Sequence, residues 1–235
     1  MDIFLIPGFW LDGSSWDAVA PALREAGHRV HQLTLPGMES PTAERATITL
    51  RDHVDAVVAQ IDACDPAAQV VLVGHSGGGP VAHAAVDARP DRVARVVYVD
   101  SGPLADGDPI NAGLPSENGE IPLPEWSTFD DADLIDLDDD LRAAFRERAI
   151  PIPARVAGDP QQLRDERRYD VPVTVIACEY PSDVLRTWIE QGHPFVRELA
   201  RIRDVAYVDL PTGHWPQFTR PAQLAEAIVG SLSPA

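Results

Sequence analysis

Residues 70–86, VVLVGHSGGGPVAHAAV, constrain the fold more than any other stretch of the chain. An unbroken run of Val and Leu reads as a strand buried on both faces. It passes with no linker into Gly74-His75-Ser76-Gly77-Gly78, and then into a small apolar run, Gly79–Ala88, that reads as a helix. A serine at a sharp strand-to-helix turn stands clear of the backbone, which is where a nucleophile has to be. Glycines are expected at 74 and 78 because strand and helix approach too closely there for a Cβ. The helix starts at once, so its first amides face the surroundings of Ser76 and favour an oxyanion. Pro80 suits the first helical turn, where a missing N–H is harmless. Two other readings compete. Gly77-x-Gly79-x-x-Ala82 with Asp100 loosely matches a dinucleotide fingerprint, but such a motif usually follows the first strand of its unit and here two strands precede it. The second is a plain strand–helix turn with no chemistry.

Five further runs resemble the first strand-like one: Ile3–Pro7, Val30–Leu35, Val93–Val99, Val171–Ala177 and Val205–Leu210. Helical spacing lies between them, over Trp16–Ala26, Leu50–Cys64 and, at the end, Leu224–Leu232. Strand–helix alternation implies an α/β fold, a mainly parallel sheet covered by helices on both faces. One domain over 1–235 is expected. Residues 101–170 break the rhythm with eight prolines, and Asp133–Arg148 and Pro160–Tyr169 are candidate short helices within them. About 70 residues is too long for a plain connection, and such inserts are often lids or binding loops; the alternative is a solvated acidic loop.

Charge narrows the partners. The chain carries 19 basic and 37 acidic residues, a formal net charge of −18. Nucleic acid and anionic membrane surfaces are therefore not expected as partners. Twelve of the acids, with no base among them, fall between Ser101 and Leu141. Every basic residue is arginine, which removes all lysine mechanisms, from Schiff base to P-loop. Cys64 and Cys178 are far apart and lack metal spacing, so two free thiols and a cytoplasmic location are expected. No run approaches the roughly 20 apolar residues of a membrane span, and MDIFLIPGFWL lacks the basic start of a signal peptide.

Ser76 needs a general base, and the chain has seven histidines. His28 and His31 flank the second strand, His53 and His83 lie in helical patterns, and His75 occupies the elbow's variable position, pointing away from Oγ. His193 follows Gly192 in a turn. His214 differs: it sits in Leu210-Pro211-Thr212-Gly213-His214-Trp215, just past the last strand, and loops at the carboxyl ends of parallel strands gather at one edge, the same edge as the elbow. The segment Pro7-Gly8-Phe9-Trp10 ends the first strand at that edge too. Its Phe9 amide (Trp10 as second choice), with that of Gly77, is expected to form the oxyanion hole.

Together, PGFWLDGSSWDAVAPAL after the first strand, the GHSGG elbow and the terminal GHWPQFTRPAQLAEAI resemble the α/β-hydrolase superfamily. The resemblance covers the chain except the insert. Within the superfamily it is similar to the small esterases that include plant methylesterases and hydroxynitrile lyases. Two departures stand out: the first-strand loop reads Pro7-Gly8 where many members have His-Gly, and the lysine that hydroxynitrile lyases use is absent. In most members the triad acid follows the next-to-last strand, where this chain has Cys178-Glu179-Tyr180-Pro181-Ser182-Asp183. Some place it after the strand that follows the elbow helix, where Asp100 stands. Asp100 is favoured, Asp183 is the alternative and Glu179 a distant third. Asp100 could equally serve as a strand-end cap and Asp183 as a helix N-cap. The resemblance implies a cofactor-free serine hydrolase with no metal, acting on a small carboxylic ester or lactone through an acyl-enzyme. Trp10, Trp126, Trp188 and Trp215 are candidate pocket residues, and the acidic insert is expected to disfavour anionic substrates. Rivals are non-hydrolytic use of the same triad (perhydrolysis, C–C cleavage, cyclisation) and a ligand-binding receptor with little turnover.

Overall fold

A computed structural model describes residues 1–232. Six parallel strands form the central sheet: β1 (Asp2–Ile6), β2 (Arg29–Gln32), β3 (Val70–His75), β4 (Val93–Val99), then β7 (Val173–Ala177) and β8 (Val205–Asp209), in the spatial order β2-β1-β3-β4-β7-β8. A separate antiparallel pair, β5 (Glu120–Ile121) and β6 (Ile152–Pro153), lies within the insert. Helices α1 (Ala20–Glu25), α2 (Leu50–Ala63) and α3 (Gly78–Ala88) alternate with the first four strands. The insert carries α4 (Asp139–Arg148) and α5 (Ala154–Gly158). After β7 come α6 (Ser182–Glu190), α7 (Pro216–Thr219) and α8 (Pro221–Ser231). This is the expected α/β-hydrolase architecture.

Successive side chains of a strand point to opposite faces, and the central strands show why they read as continuous apolar runs. Phe4, Ile6, Leu72, Tyr98 and Val175 face the side covered by α2, α3 and the insert. Ile3, Leu5, Val71, Val73, Val97 and Ile176 face the side covered by α1 and α8. The edge strands β2 and β8 are only partly buried. Thr49 opens α2 with a capping box: its side chain accepts from the Asp52 amide while the Asp52 carboxylate accepts from the Thr49 amide.

The structure corrects three helix boundaries. The pattern over Trp16–Ala26 splits into a 3-10 turn at Gly13–Trp16 and α1, which begins only where Pro21 fits its first turn. Helix α4 starts at Asp139, not Asp133, because Asp138 caps it through the Leu141 amide and the carbonyls of Asp133 and Ile135 accept from the His214 and Gly213 amides. Pro160–Tyr169 is not a helix. The amides of Leu163, Arg164 and Asp165 are taken by the carboxylates of Asp106 and Asp87, which leaves only a 3-10 turn at Glu166–Asp170.

The insert does not build a core of its own. Ile121, Leu137, Phe145, Ile152 and Val156 join the cluster that packs on one face of the sheet. Trp10 ties it to the first strand: its indole N–H donates to the Ile121 carbonyl at 3.1 Å, and its own carbonyl accepts from Ile150 N–H. Both cysteines are free. Among the described residues no helix is long and apolar enough to cross a membrane.

Candidate active site

The elbow is built from close approaches. Ser76 adopts φ 49°, in the left-handed region that an L residue occupies only at a cost. A Cβ on Gly78 would come within 2.6 Å of the Ile6 and Pro7 carbonyl oxygens, so nothing larger than glycine fits there. Two contacts, one with β4 and one with the loop just after it, hold the turn. Ser76 N–H donates to the Val99 carbonyl, and Ser101 Oγ donates to the Ser76 carbonyl at 2.6 Å.

His214 reaches Ser76 from the loop after β8. Its Nε2 lies 2.7 Å from Ser76 Oγ, and its Nδ1 lies 2.6 Å from Asp100 Oδ2. Three groups hold the loop. The His214 amide donates to the Asp133 carbonyl, the His75 ring Nε2–H donates to the His214 carbonyl at 2.7 Å, and Thr212 Oγ1 donates to Asp136. His75 is fully buried, and burial pushes it down to about 3, so it stays neutral and acts as a fixed donor. Its other nitrogen faces the Gln217 side-chain amide, which fits the same tautomer.

Asp100 ends β4 with φ 42°. This uncommon backbone turns its carboxylate back toward the sheet edge. Oδ1 accepts from the Cys178 and Glu179 amides at 3.1 and 3.0 Å, which leaves Oδ2 for His214. Burial alone would raise its pKa, but the hydrogen bond and charge of His214 and the Glu179 amide outweigh it and hold the carboxyl below its ordinary value. Burial likewise opposes a charged His214. The hydrogen bonds to Asp100 and Glu179 prevail and raise the imidazole above its ordinary range.

Asp183, the alternative acid, lies outside this cluster. It is exposed on the first turn of α6, its carboxylate accepting from the neighbouring Val184 amide. Glu179, the third choice, is inside it, with Oε2 3.4 Å from His214 Nδ1. Phe9 and Gly77 lie side by side: a Cβ on Gly77 would come 2.6 Å from the Phe9 ring. Among the described residues neither amide donates to a protein acceptor, so both are free for a ligand oxygen.

A cleft of about 810 Å³ opens over Ser76 and His214. Of the expected pocket tryptophans, Trp10 lines it. Trp126 and Trp215 do not; they stack edge-on to each other and contact Phe129, which does line the cleft. Trp188 lies in a rim cluster with Tyr180, His193 and Phe195. Sequence reasoning missed the prolines and aliphatics of the insert that form much of the wall, such as Pro103, Leu104, Ile110 and Leu114. It also missed the positioning contact of His75, for which no local signal existed.

The sequence profile of the alpha/beta hydrolase family matches residues 3–227. A pyrethroid hydrolase of Sphingobium wenxiniae is 31% identical over 248 residues, covering 97% of this chain and 86% of that protein. A carbendazim hydrolyzing esterase of a Nocardioides species is 35% identical over 112 residues, 47% of this chain and 46% of that one. Among solved structures, an extracellular alpha/beta-hydrolase from a Paenibacillus species superposes with a TM-score of 0.77 at 23% identity, covering 98% of both chains. That last likeness is one of fold.

Proposed function

The chain belongs to the alpha/beta hydrolase family and is an enzyme of the carboxylesterase type; from that premise we propose that it hydrolyses neutral carboxylic esters or lactones of small molecules through Ser76, His214 and Asp100. One observation carries this reading: the unbroken relay of 2.6 and 2.7 Å from Asp100 through His214 to Ser76 Oγ, on the floor of an apolar cleft.

In the first half-reaction His214 Nε2 takes the Ser76 proton as Oγ bonds to the ester carbonyl carbon. Charge moves onto the carbonyl oxygen, which the Phe9 and Gly77 amides receive. Asp100 fixes the Nδ1–H tautomer and stabilises the imidazolium. His214 then gives its proton to the leaving alkoxide as the C–O bond breaks, leaving an acyl-Ser76. Water attacks that acyl group with His214 again as base, releasing the acid and restoring the serine.

The cleft lies within the size range of sites for drug-sized ligands, roughly 300–1,000 Å³, so esters well beyond short-chain acetates fit. Its ionisable lining apart from His214 is one-sided: Asp100, Asp108, Asp133 and Glu198 against the single base Arg197, and Arg197 is already paired with Asp108 at 2.5 Å. That imbalance favours neutral over anionic substrates. We read the insert, which supplies Pro103 to Asp133 of the wall, as a lid over this site.

The test is intact-protein mass after a fluorophosphonate probe, with nitrophenyl ester rates alongside, on wild type and Ser76→Ala. The expected result is one adduct and ester turnover in wild type, both lost in the variant. An unlabelled, folded wild type would overturn the reading and favour a ligand-binding receptor.

A further inference from the structure

Glu179 stands two residues past β7, and its side chain is only 10% exposed. Its Oε2 lies 3.4 Å from the same His214 nitrogen that Asp100 holds at 2.6 Å. Its own amide donates to the other oxygen of Asp100. Two carboxylates, from loops after two different strands, thus converge on a single N–H.

We propose that Glu179 is a positioning residue for His214, sharing the Nδ1 proton with Asp100 and stabilising the imidazolium formed at each proton transfer. This rests on the Ser76–His214–Asp100 reading above. Asp100 faces the Glu179 carboxylate from the end of β4 and Asp133 from the insert; Cys178 and Tyr180 flank it in sequence, and Asp130 acts on Tyr180. His75 faces His214 from β3 and is neutral. No arginine pairs with Glu179 among the described residues, so His214 is the only group there able to supply a positive charge. A carboxylate so buried, beside two others, is held ionised only at a cost. Burial, with Asp100 and Asp133 adding to it, outweighs the His214 hydrogen bond and pushes Glu179 up to about 7.

The consequence is differential. Beside neutral imidazole an ionised Glu179 is unfavourable; beside imidazolium it gains an opposite charge at contact. Its stabilisation is therefore concentrated in the states where His214 holds the serine or water proton, and that is the form of interaction that raises kcat rather than binding. Asp100, with two amides on its other oxygen, sets most of the ring's direction; Glu179, at the longer distance, adds mainly charge.

The experiment compares Glu179→Gln, Asp100→Asn and the double variant, by kcat/KM against pH on a nitrophenyl ester. Removing a carboxylate from Nδ1 lowers the His214 pKa, so the acid limb of Glu179→Gln should move to lower pH by about half a unit or more, with kcat down about three- to ten-fold. Asp100→Asn should retain at least about ten-fold more kcat/KM than the double variant, because one carboxylate remains on the nitrogen. Glu179→Asp, which keeps a carboxylate one methylene farther back, should show a smaller shift in the same direction; a purely structural role predicts no such grading. Should Glu179→Gln fail to fold, the acid limb of Glu179→Asp decides alone. An unmoved acid limb, with Asp100→Asn equal to the double variant where the latter folds, overturns the proposal. Ser76→Ala in the same assay separates the two claims. If it is inactive and Glu179→Gln is silent, only the Glu179 role fails; if Ser76→Ala turns over, the triad reading fails.

Discussion

The wall of the cleft formed by Pro194, Phe195, Arg197 and Glu198 is pinned by a buried ion network, and Glu198→Ala should expose what it is worth. Glu198 is buried, with Oε1 accepting from His83 Nε2 and Arg168 Nε at 3.1 Å each and from Tyr169 OH at 2.9 Å. Through these contacts the segment 194–201 is fastened to α3, which carries the elbow, and to the 3-10 turn at Glu166–Asp170. Truncating one partner of a buried pair costs about 3–5 kcal/mol, because the other charge is left uncompensated. Arg168 would keep Asp87 at 3.1 Å and the Asp165 carbonyl at 2.9 Å, so the low end, about 3 kcal/mol, is expected. For a domain of this size that is a fall in Tm of about 6–12 °C. Burial would raise the pKa of Glu198, but the donors from His83, Tyr169 and Arg168 outweigh it and bring the carboxyl down to about 2. A depressed carboxylate contributes fully above its unfolded value and loses that contribution as pH falls through the folded one. The gap in Tm between wild type and Glu198→Ala should therefore narrow between about pH 5 and pH 2. Thermal unfolding followed by circular dichroism measures both quantities. A loss under about 1 kcal/mol at pH 7, or a gap that widens on acidification, would refute this account of the network.

Other consequences are sharper for catalysis. Asp100→Asn should lower kcat by roughly 10³–10⁴, at the lower end while Glu179 remains, whereas Asp183→Asn, on an exposed helix turn, should leave ester turnover within about two-fold; steady-state rates of both decide which acid serves. Because His214 is raised above its ordinary range and only the neutral ring accepts a proton, the acid limb of kcat/KM should lie above pH 6.5, read from a pH–rate profile. Gly78→Ala forces a Cβ to 2.6 Å from two backbone oxygens and should cost about 1–3 kcal/mol by urea denaturation, together with most of the fluorophosphonate labelling. Matched ester pairs differing by one carboxylate should show the neutral member turned over faster; equal rates would count against the charge argument.

Which of these features could be read from residues alone follows a physical line. The four inner strands were legible because strands buried on both faces need an apolar residue at nearly every position, and local sequence records that demand; the edge strands β2 and β8, only partly buried, record it less fully. Ser76 was legible because a turn with no room for a Cβ leaves glycines at fixed spacing, and His214 because chain topology delivers loops to one sheet edge. Choosing among acids was harder. Asp100, Glu179 and Asp183 all follow strands at that edge, and only side-chain direction separates them. That direction is set by the φ of 42° at Asp100 and by the start of α6, which carries Asp183 outward, neither of which leaves a local signature. The insert was least legible for a related reason. Its backbone groups are satisfied by distant partners, the Arg164 amide by the Asp87 carboxylate and the Asp133 carbonyl by the His214 amide, so tertiary contacts override the helical spacing that local sequence suggests. The Asp133, Ile135 and Asp136 contacts bind the insert to the loop that carries His214, so a change in the Asp133–Asp136 turn should be felt at His214 before it is felt in the sheet.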